Sequence, residues 1–275
     1  MAGSPIYYES SRADHFYDIP SIENIGTWSP YTLRTRYSLN IKGIPYKTVW
    51  VEYPDIAPLS KQIGAAPTGT GADGAPLYTL PMIYDPNTKT AVSDSGKIAR
   101  YLDKTYPDTH KLIPAELDVF TAAFEDAFWG AFHRPDLVPV MNLAVFDILP
   151  PRSQSYFRRA REATFGTTME DLAPLGSEKR ANHWAKVRND ASKVAAWYEA
   201  DGNKDKTFVL GDNAGVTYAD VIVTAFFGCF RKGLGEDSQE WKDIAAWDGG
   251  RWKRLLAAFE KYGAVDAGEE LKLQL

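Results

Sequence analysis

Gly26-Thr27-Trp28-Ser29-Pro30-Tyr31-Thr32-Leu33-Arg34-Thr35-Arg36 is the stretch whose reading decides the fold. Pro30 suits the first helical position, where a missing N–H costs nothing, and Ser29 suits the cap before it, so a helix starts here. A helix N-terminus presents unpaired backbone donors and a partial positive charge, which favour an anion held against it. On its own the stretch is a capped helix, and any further role for Ser29 depends on what the rest of the chain carries.

Upstream, His15-Phe16-Tyr17-Asp18-Ile19 reads as a strand closed by Pro20, and residues 1–14, which have no clean period, read as a terminal extension. Downstream, the helix carries Leu33, Tyr37 and Ile41 on one face and stops at Gly43, with Pro45 just beyond. Tyr46 to Tyr53 is rich in β-branched and aromatic residues and makes a second strand, ended by Pro54. A β-α-β unit of this kind predicts two parallel neighbouring strands with a right-handed connection. A short helix over 55–63 leads to a loop over 64–76 loaded with Gly, Ala, Pro and Thr.

Tyr78–Asp85 and Thr90–Val92 then form a hairpin. Pro81 stands at the head of its strand, a position proline can occupy and where a cis X-Pro bond serves as a structural device. The residues from Ser93 to Leu102 open another helix, completing the order β-α-β-α-β-β-α. After a linker from Tyr106 to Pro114 the strand signal fades. Helices are predicted over 116–132, 153–165, 177–200, 218–231 and 251–262, and Thr217 with Asp220 makes a capping box. The expected division is an extension over 1–14, an α/β domain over 15–106 and an all-helical domain over 107–275.

Composition narrows the function. The chain has 275 residues, 44% hydrophobic and 24% charged, which suits two folded domains. Cys229 is the only cysteine, so an intramolecular disulfide, a CxxC pair and a cysteine-based zinc cluster are excluded. The four histidines are scattered without metal-ligand spacing, and no metal is expected. A net charge of −5 gives no support to a nucleic-acid partner, and Arg152, Arg158, Arg159 and Arg161 read as a solvated helix face. No apolar run reaches membrane-spanning length and the N-terminus lacks a leader pattern, so a cytoplasmic protein is expected. Eight tryptophans and fifteen tyrosines fill a core or line an apolar ligand pocket.

Ser29-Pro30-Tyr31, Leu80-Pro81 and Asp94-Ser95, in this order, resemble a cytosolic glutathione transferase. The resemblance covers roughly residues 15 to 262 and implies a thioredoxin-like N-terminal domain followed by an all-helical one. Trp28 to Arg36, Thr48 to Ile56 and Ser93-Asp94-Ser95 look more closely like the fungal etherase-related glutathione transferases. Those in turn are similar to bacterial glutathione-dependent β-etherases, which cleave aryl ethers of lignin.

The resemblance implies glutathione as co-substrate and a homodimer. Ser29 would hydrogen-bond the glutathione sulfur and stabilise its thiolate, with Thr27 a lesser candidate beside it. A helix N-terminus or nearby cation lowers a thiol pKa from about 8.5 to roughly 3.5–7.5. Leu80, before a cis Pro81, would pair its backbone with the cysteinyl residue. Asp94 and Ser95 would receive the γ-glutamyl end, although the commoner family pattern has Glu where Asp94 stands. Lys61 is the candidate for the glycyl carboxylate, and Trp28, Phe128, Trp129 and Phe132 for the wall of a second-substrate pocket. The activity expected is attack of the thiolate on aromatic electrophiles, including aryl ethers. The alternative is a ligandin that holds hydroxylated aromatics, and a thiol reductase ranks last because Ser29 stands where such an enzyme needs cysteine.

Overall fold

The structure, a computed structural model, describes residues 14–22, 25–71 and 73–271. The expected extension lies outside these residues apart from Asp14, which opens β1 (Asp14–Asp18). Helix α1 (Pro30–Lys42) ends on Gly43, whose φ of 66° is open to glycine at little cost, and β2 (Tyr46–Trp50) follows in parallel to β1. A 3-10 turn at Tyr53–Asp55 precedes α2 (Ile56–Ile63). The long loop carries a two-residue ribbon, β3 (Gly69–Thr70) against β4 (Pro76–Leu77). The hairpin is β5 (Met82–Asp85) and β6 (Thr90–Ser93), with β5 antiparallel to β1, and α3 (Ser95–Thr105) follows.

The second half supplies α4 (Asp118–Ala131), α5 (Arg134–Asp147), α6 (Pro151–Phe165), the single turn α7 (Met169–Leu172), α8 (Glu178–Tyr198), α9 (Tyr218–Leu234) and α10 (Gln239–Phe259). Helix α10 is broken at Trp247–Gly250, where Asp248, Gly249 and Gly250 take positive φ. Beyond it the chain returns to the first domain: β7 (Glu269–Glu270) pairs parallel to β2, giving the sheet order β6-β5-β1-β2-β7. The expected all-helical half therefore ends in a strap on the thioredoxin-like sheet. Asn40 donates to the carbonyls of Tyr262 and Ala264, and Trp50 Nε1 to that of Ala267.

Helix α1 is buried on nearly every side, so it shows no single apolar stripe. Leu39 packs toward the sheet with Phe16 and Ile83, while Leu33 and Tyr37 join Phe227 and Phe259 of the helical core. Its three buried cations are all paired: Arg34 with Glu125, Arg36 with Asp18 and Lys42 with Asp103. Asp220, fully buried at the start of α9, accepts from the amides of Val209 (2.6 Å) and Thr217 (2.8 Å). Burial pushes its carboxyl up to about 6 against those hydrogen bonds. Among the described residues no helix is long and apolar enough to cross a membrane.

Candidate functional site

The loop from β1 to α1 is pinned before it reaches Ser29. Ile22 N–H bonds to Ile148 O at 2.8 Å, Ser21 Oγ to Gly26 O at 2.7 Å and Trp28 Nε1 to Pro20 O at 3.2 Å. Ser29 has the extended backbone of a cap (φ −64°, ψ 133°), and its carbonyl accepts Leu33 N–H at 2.9 Å. Its hydroxyl, however, caps nothing: no hydrogen bond runs from it to the first turn. Because Pro30 has no N–H, the first-turn amides of Tyr31 and Thr32 are the donors the helix leaves without intrahelical partners. The hydroxyl and the helix terminus are thus both available to an anion.

A cavity of about 190 Å³ opens at Ser29, where α1 meets α4, α5, α6 and α9. Trp28, Ser29, Tyr31, Tyr53, Trp129 and Phe157 are among its walls. Tyr31 stacks on Trp129 with centroids 5.3 Å apart, and Tyr53 lies 5.8 Å from Phe157. Trp28 belongs partly to the core beneath, at 4% exposure. Phe128 and Phe132 do not reach this cavity, which corrects the expected pocket wall. Phe128, on the face of α4 that packs on α9, and Phe132, just past the end of α4, are each in ring contact with Phe226, while Trp129 lies about 100° round the helix from Phe128.

Cys229, in the helical half, is in the cavity wall. Burial pushes its thiol up to about 12, so it remains protonated and is a poor nucleophile. Burial also raises the Tyr53 hydroxyl to about 12, partly opposed by Arg161, which keeps it a neutral donor. Arg134, Asn142 and Arg161 complete the polar wall. The sequence reading missed these because their positions meet only through the packing of α5 and α6.

The other candidates cluster beside β5. The Leu80–Pro81 bond is cis, and neither the amide nor the carbonyl of Leu80 has a hydrogen-bond partner among the described residues. Asp94 N–H reaches Pro81 O at 3.4 Å, holding the start of α3 against this segment. Asp94 has φ 80°, unusual for a residue with a Cβ, and its Oδ1 accepts Lys97 N–H at 2.9 Å. Ser95 is buried beside it. At Gly96 a Cβ would stand 3.3 Å from Glu125 Oε2 and 3.4 Å from Asp94 Oδ1, so a second carboxylate, from α4, comes close to this helix start. Lys61 is exposed on α2, 5.7 Å over the Tyr78 ring, and neighbouring Ser60 touches Met82 Sδ at 3.0 Å. Thr27 Oγ1 is buried with no partner.

A larger groove of about 860 Å³ lies elsewhere, between Trp50, Pro150 and the C-terminal strap. Two of its charged walls are engaged, Arg152 by Asp55 and Glu52 by Ser153, and it does not touch Ser29. Among the described residues no cluster of three His, Cys, Asp or Glu side chains could hold a metal.

A thioredoxin-like sheet, a serine at the first helix start and a helical half closing over it define the class of fold. Family models described as Glutathione S-transferase, N-terminal domain and Glutathione S-transferase, C-terminal domain match residues 28–105 and 119–262. The chain belongs to the glutathione S-transferase family. It is 30% identical to the Glutathione S-transferase-like protein ustS of Aspergillus flavus, over 89% of this chain and 88% of that one. Among solved structures it is similar to the glutathione S-transferase CsGST63524 of Ceriporiopsis subvermispora in complex with glutathione, at 51% identity and TM-score 0.89, covering 94% of this chain and all of that one. It is also similar to glutathione transferase GSTFuA2 of Phanerochaete chrysosporium, at 43% identity and TM-score 0.86, covering 93% of this chain and all of that one.

Proposed function

We propose that this chain uses glutathione as co-substrate and directs its thiolate at an electrophilic carbon of an aromatic compound held in the Ser29 cavity. The observation that carries the reading is the Ser29 hydroxyl, free of any capping bond, at a helix start that also forms a wall of an aromatic cavity. Ser29 and the first-turn amides stabilise the sulfur anion, and Leu80, through its unpaired backbone, holds the cysteinyl residue. Asp94, with Glu125 near it, receives the γ-glutamyl ammonium, Ser95 its carboxylate, and Lys61 the glycyl end. Thr27 supports the sulfur end from below. Placing thiolate and electrophile together replaces a bimolecular encounter.

For an aryl ether, a C–S bond forms at the attacked carbon as the C–O bond breaks, and the phenolate leaves with the electron pair. The protein acts as a homodimer in this reading, because α4 exposes Val119 and Phe120 beside an apolar hollow of about 440 Å³. Light scattering after size-exclusion chromatography tests the dimer. Turnover of a β-aryl ether and of a chlorinated aromatic, by wild type and Ser29→Ala, tests the chemistry. Displacement of a bound dye by phenolics without consumption of glutathione would overturn the enzyme reading in favour of a ligandin.

A further inference from the structure

The cavity at Ser29 is one-sided in charge. Arg134 and Arg161 line it, and among the described residues no aspartate or glutamate does. The arginines of α6 that read as one solvated face divide in the structure. Arg152 pairs with Asp55, and Arg158 with Glu162 and Glu170. Arg161, one turn along from Arg158, has no ion-pair partner among the described residues. Its guanidinium is laid over the Phe157 ring at 4.7 Å, its Nε is buried without a hydrogen bond, and it lines the cavity.

A second unpaired group shares the cavity wall. Asn142, on α5 and only 4% exposed, lines the same cavity, and its buried Nδ2 has no partner. Tyr53 is also in the wall, and its hydroxyl makes no hydrogen bond among the described residues. Buried donors left unpaired are costly, and natural interiors rarely contain them unless a ligand, water or ion completes them. Arg134, at the exposed side near Tyr31, adds a second positive charge without an ion-pair partner among the described residues. The apolar body of the ligand is accounted for by Trp28, Trp129, Leu137 and Phe230, and the donors ask for an anionic acceptor attached to it.

We propose that the second substrate of this protein is an aromatic electrophile carrying a carboxylate, and that Arg161 and Asn142 receive that carboxylate and set the specificity. The proposal rests on the reading that this cavity holds the second substrate. Arg161 holds the acceptor as a fixed charge over Phe157, Asn142 adds a neutral donor, and Arg134 draws the anion toward the mouth.

The test compares 4-chloro-3-nitrobenzoate with its methyl ester. In both, the glutathione thiolate attacks the ring carbon bearing chlorine, a C–S bond forms, the C–Cl bond breaks and chloride leaves with the electron pair. With each rate divided by its uncatalysed rate, wild type favours the acid by about tenfold in kcat/KM, as one charge-assisted hydrogen bond supplies. Arg161→Gln brings that ratio close to one, chiefly through KM for the acid, and Arg161→Lys retains part of the preference. Asn142→Leu lowers the ratio independently, so the test survives if one variant fails to fold. An acid-to-ester ratio near one in wild type, or a ratio untouched by both Arg161→Gln and Asn142→Leu, overturns the proposal.

Binding is read separately, by quenching of tryptophan fluorescence with 2-naphthoate and methyl 2-naphthoate. If neither chloride is turned over but 2-naphthoate binds about tenfold more tightly than its ester and loses this in Arg161→Gln, the carboxylate site stands and the catalytic reading falls. If both chlorides are turned over and 2-naphthoate has no advantage, the carboxylate site falls and the catalytic reading stands.

Discussion

Ser29→Ala separates stability from chemistry at a helix start, because here the serine holds the cap position without making the cap bond. Replacing a capping serine by alanine ordinarily costs about 1 kcal/mol. In this chain there is no such bond to lose, and the Ser29 carbonyl goes on accepting Leu33 N–H at 2.9 Å. Unfolding stability in urea should therefore stay within about 0.5 kcal/mol of wild type, as for an ordinary surface substitution. The bound thiolate behaves differently. A hydrogen bond to a charged partner is worth about 1.5–3 kcal/mol, and 1.36 kcal/mol corresponds to one pKa unit, so the pKa of bound glutathione should rise by about 1 to 2. It should not return fully to the free value, because the helix terminus and its Tyr31 and Thr32 amides remain. Titrating the ultraviolet absorbance of the thiolate on both glutathione complexes measures this. An unchanged pKa would refute the role given to Ser29, and a stability loss near 1 kcal/mol would refute the uncapped helix.

Three further outcomes follow from the packing. Phe128→Ala removes a fully buried ring that lies 5.3 Å from both Phe132 and Phe226, and should cost about 3–5 kcal/mol in urea unfolding. Asp18→Asn leaves fully buried Arg36 with only the 3.6 Å contact to Asp266 as an ion pair and should cost about 3 kcal/mol by the same measurement, the low end for a broken buried pair. Asp136 is held at about 2: burial works to raise it, but hydrogen bonds from His133, His183 and Lys186 prevail. Its folded pKa is thus below its unfolded one, so the stability it contributes is present above about 4 and is lost as pH falls through about 2. Asp136→Asn should be less stable at neutral pH and should flatten the acid limb of stability between those values. Parallel acid limbs in the two proteins would contradict that account.

Much of the first domain was legible because its punctuation is chemical and local. Pro30, Gly43 and Pro45 bracket α1, and the Thr217–Asp220 pair marks the start of α9 with a hydrogen bond that depends only on neighbours three residues apart. Helix α5 escaped notice for an equally local reason. Pro135 suits its first turn, but Pro139 sits inside it and imitates a break, and its residues are buried on more than one side. The first half of α10 was hidden by the glycines that kink it at Gly249 and Gly250. At the site, the Ser29 loop could be read, whereas Cys229, Asn142 and Arg161 could not. Nothing near them in sequence distinguishes a side chain facing a cavity from one facing water. Trp129 and Phe128 show the same limit: one step along α4 separates a cavity wall from the core.

The strap formed by residues 264–271 has a consequence for how the molecule is made. Strand β2 leaves the ribosome early, yet its partner along one edge, β7, emerges only after α10. Asp266, which accepts Thr48 N–H at 2.9 Å, is as late, and so are the carbonyls that Asn40 binds. Until the strap emerges the nascent thioredoxin-like sheet therefore has an open flank with unpaired backbone groups, the kind of edge that pairs with foreign strands. Synthesis of the strap seals it, so a chain cut between α10 and β7 would carry both domains and still expose that flank.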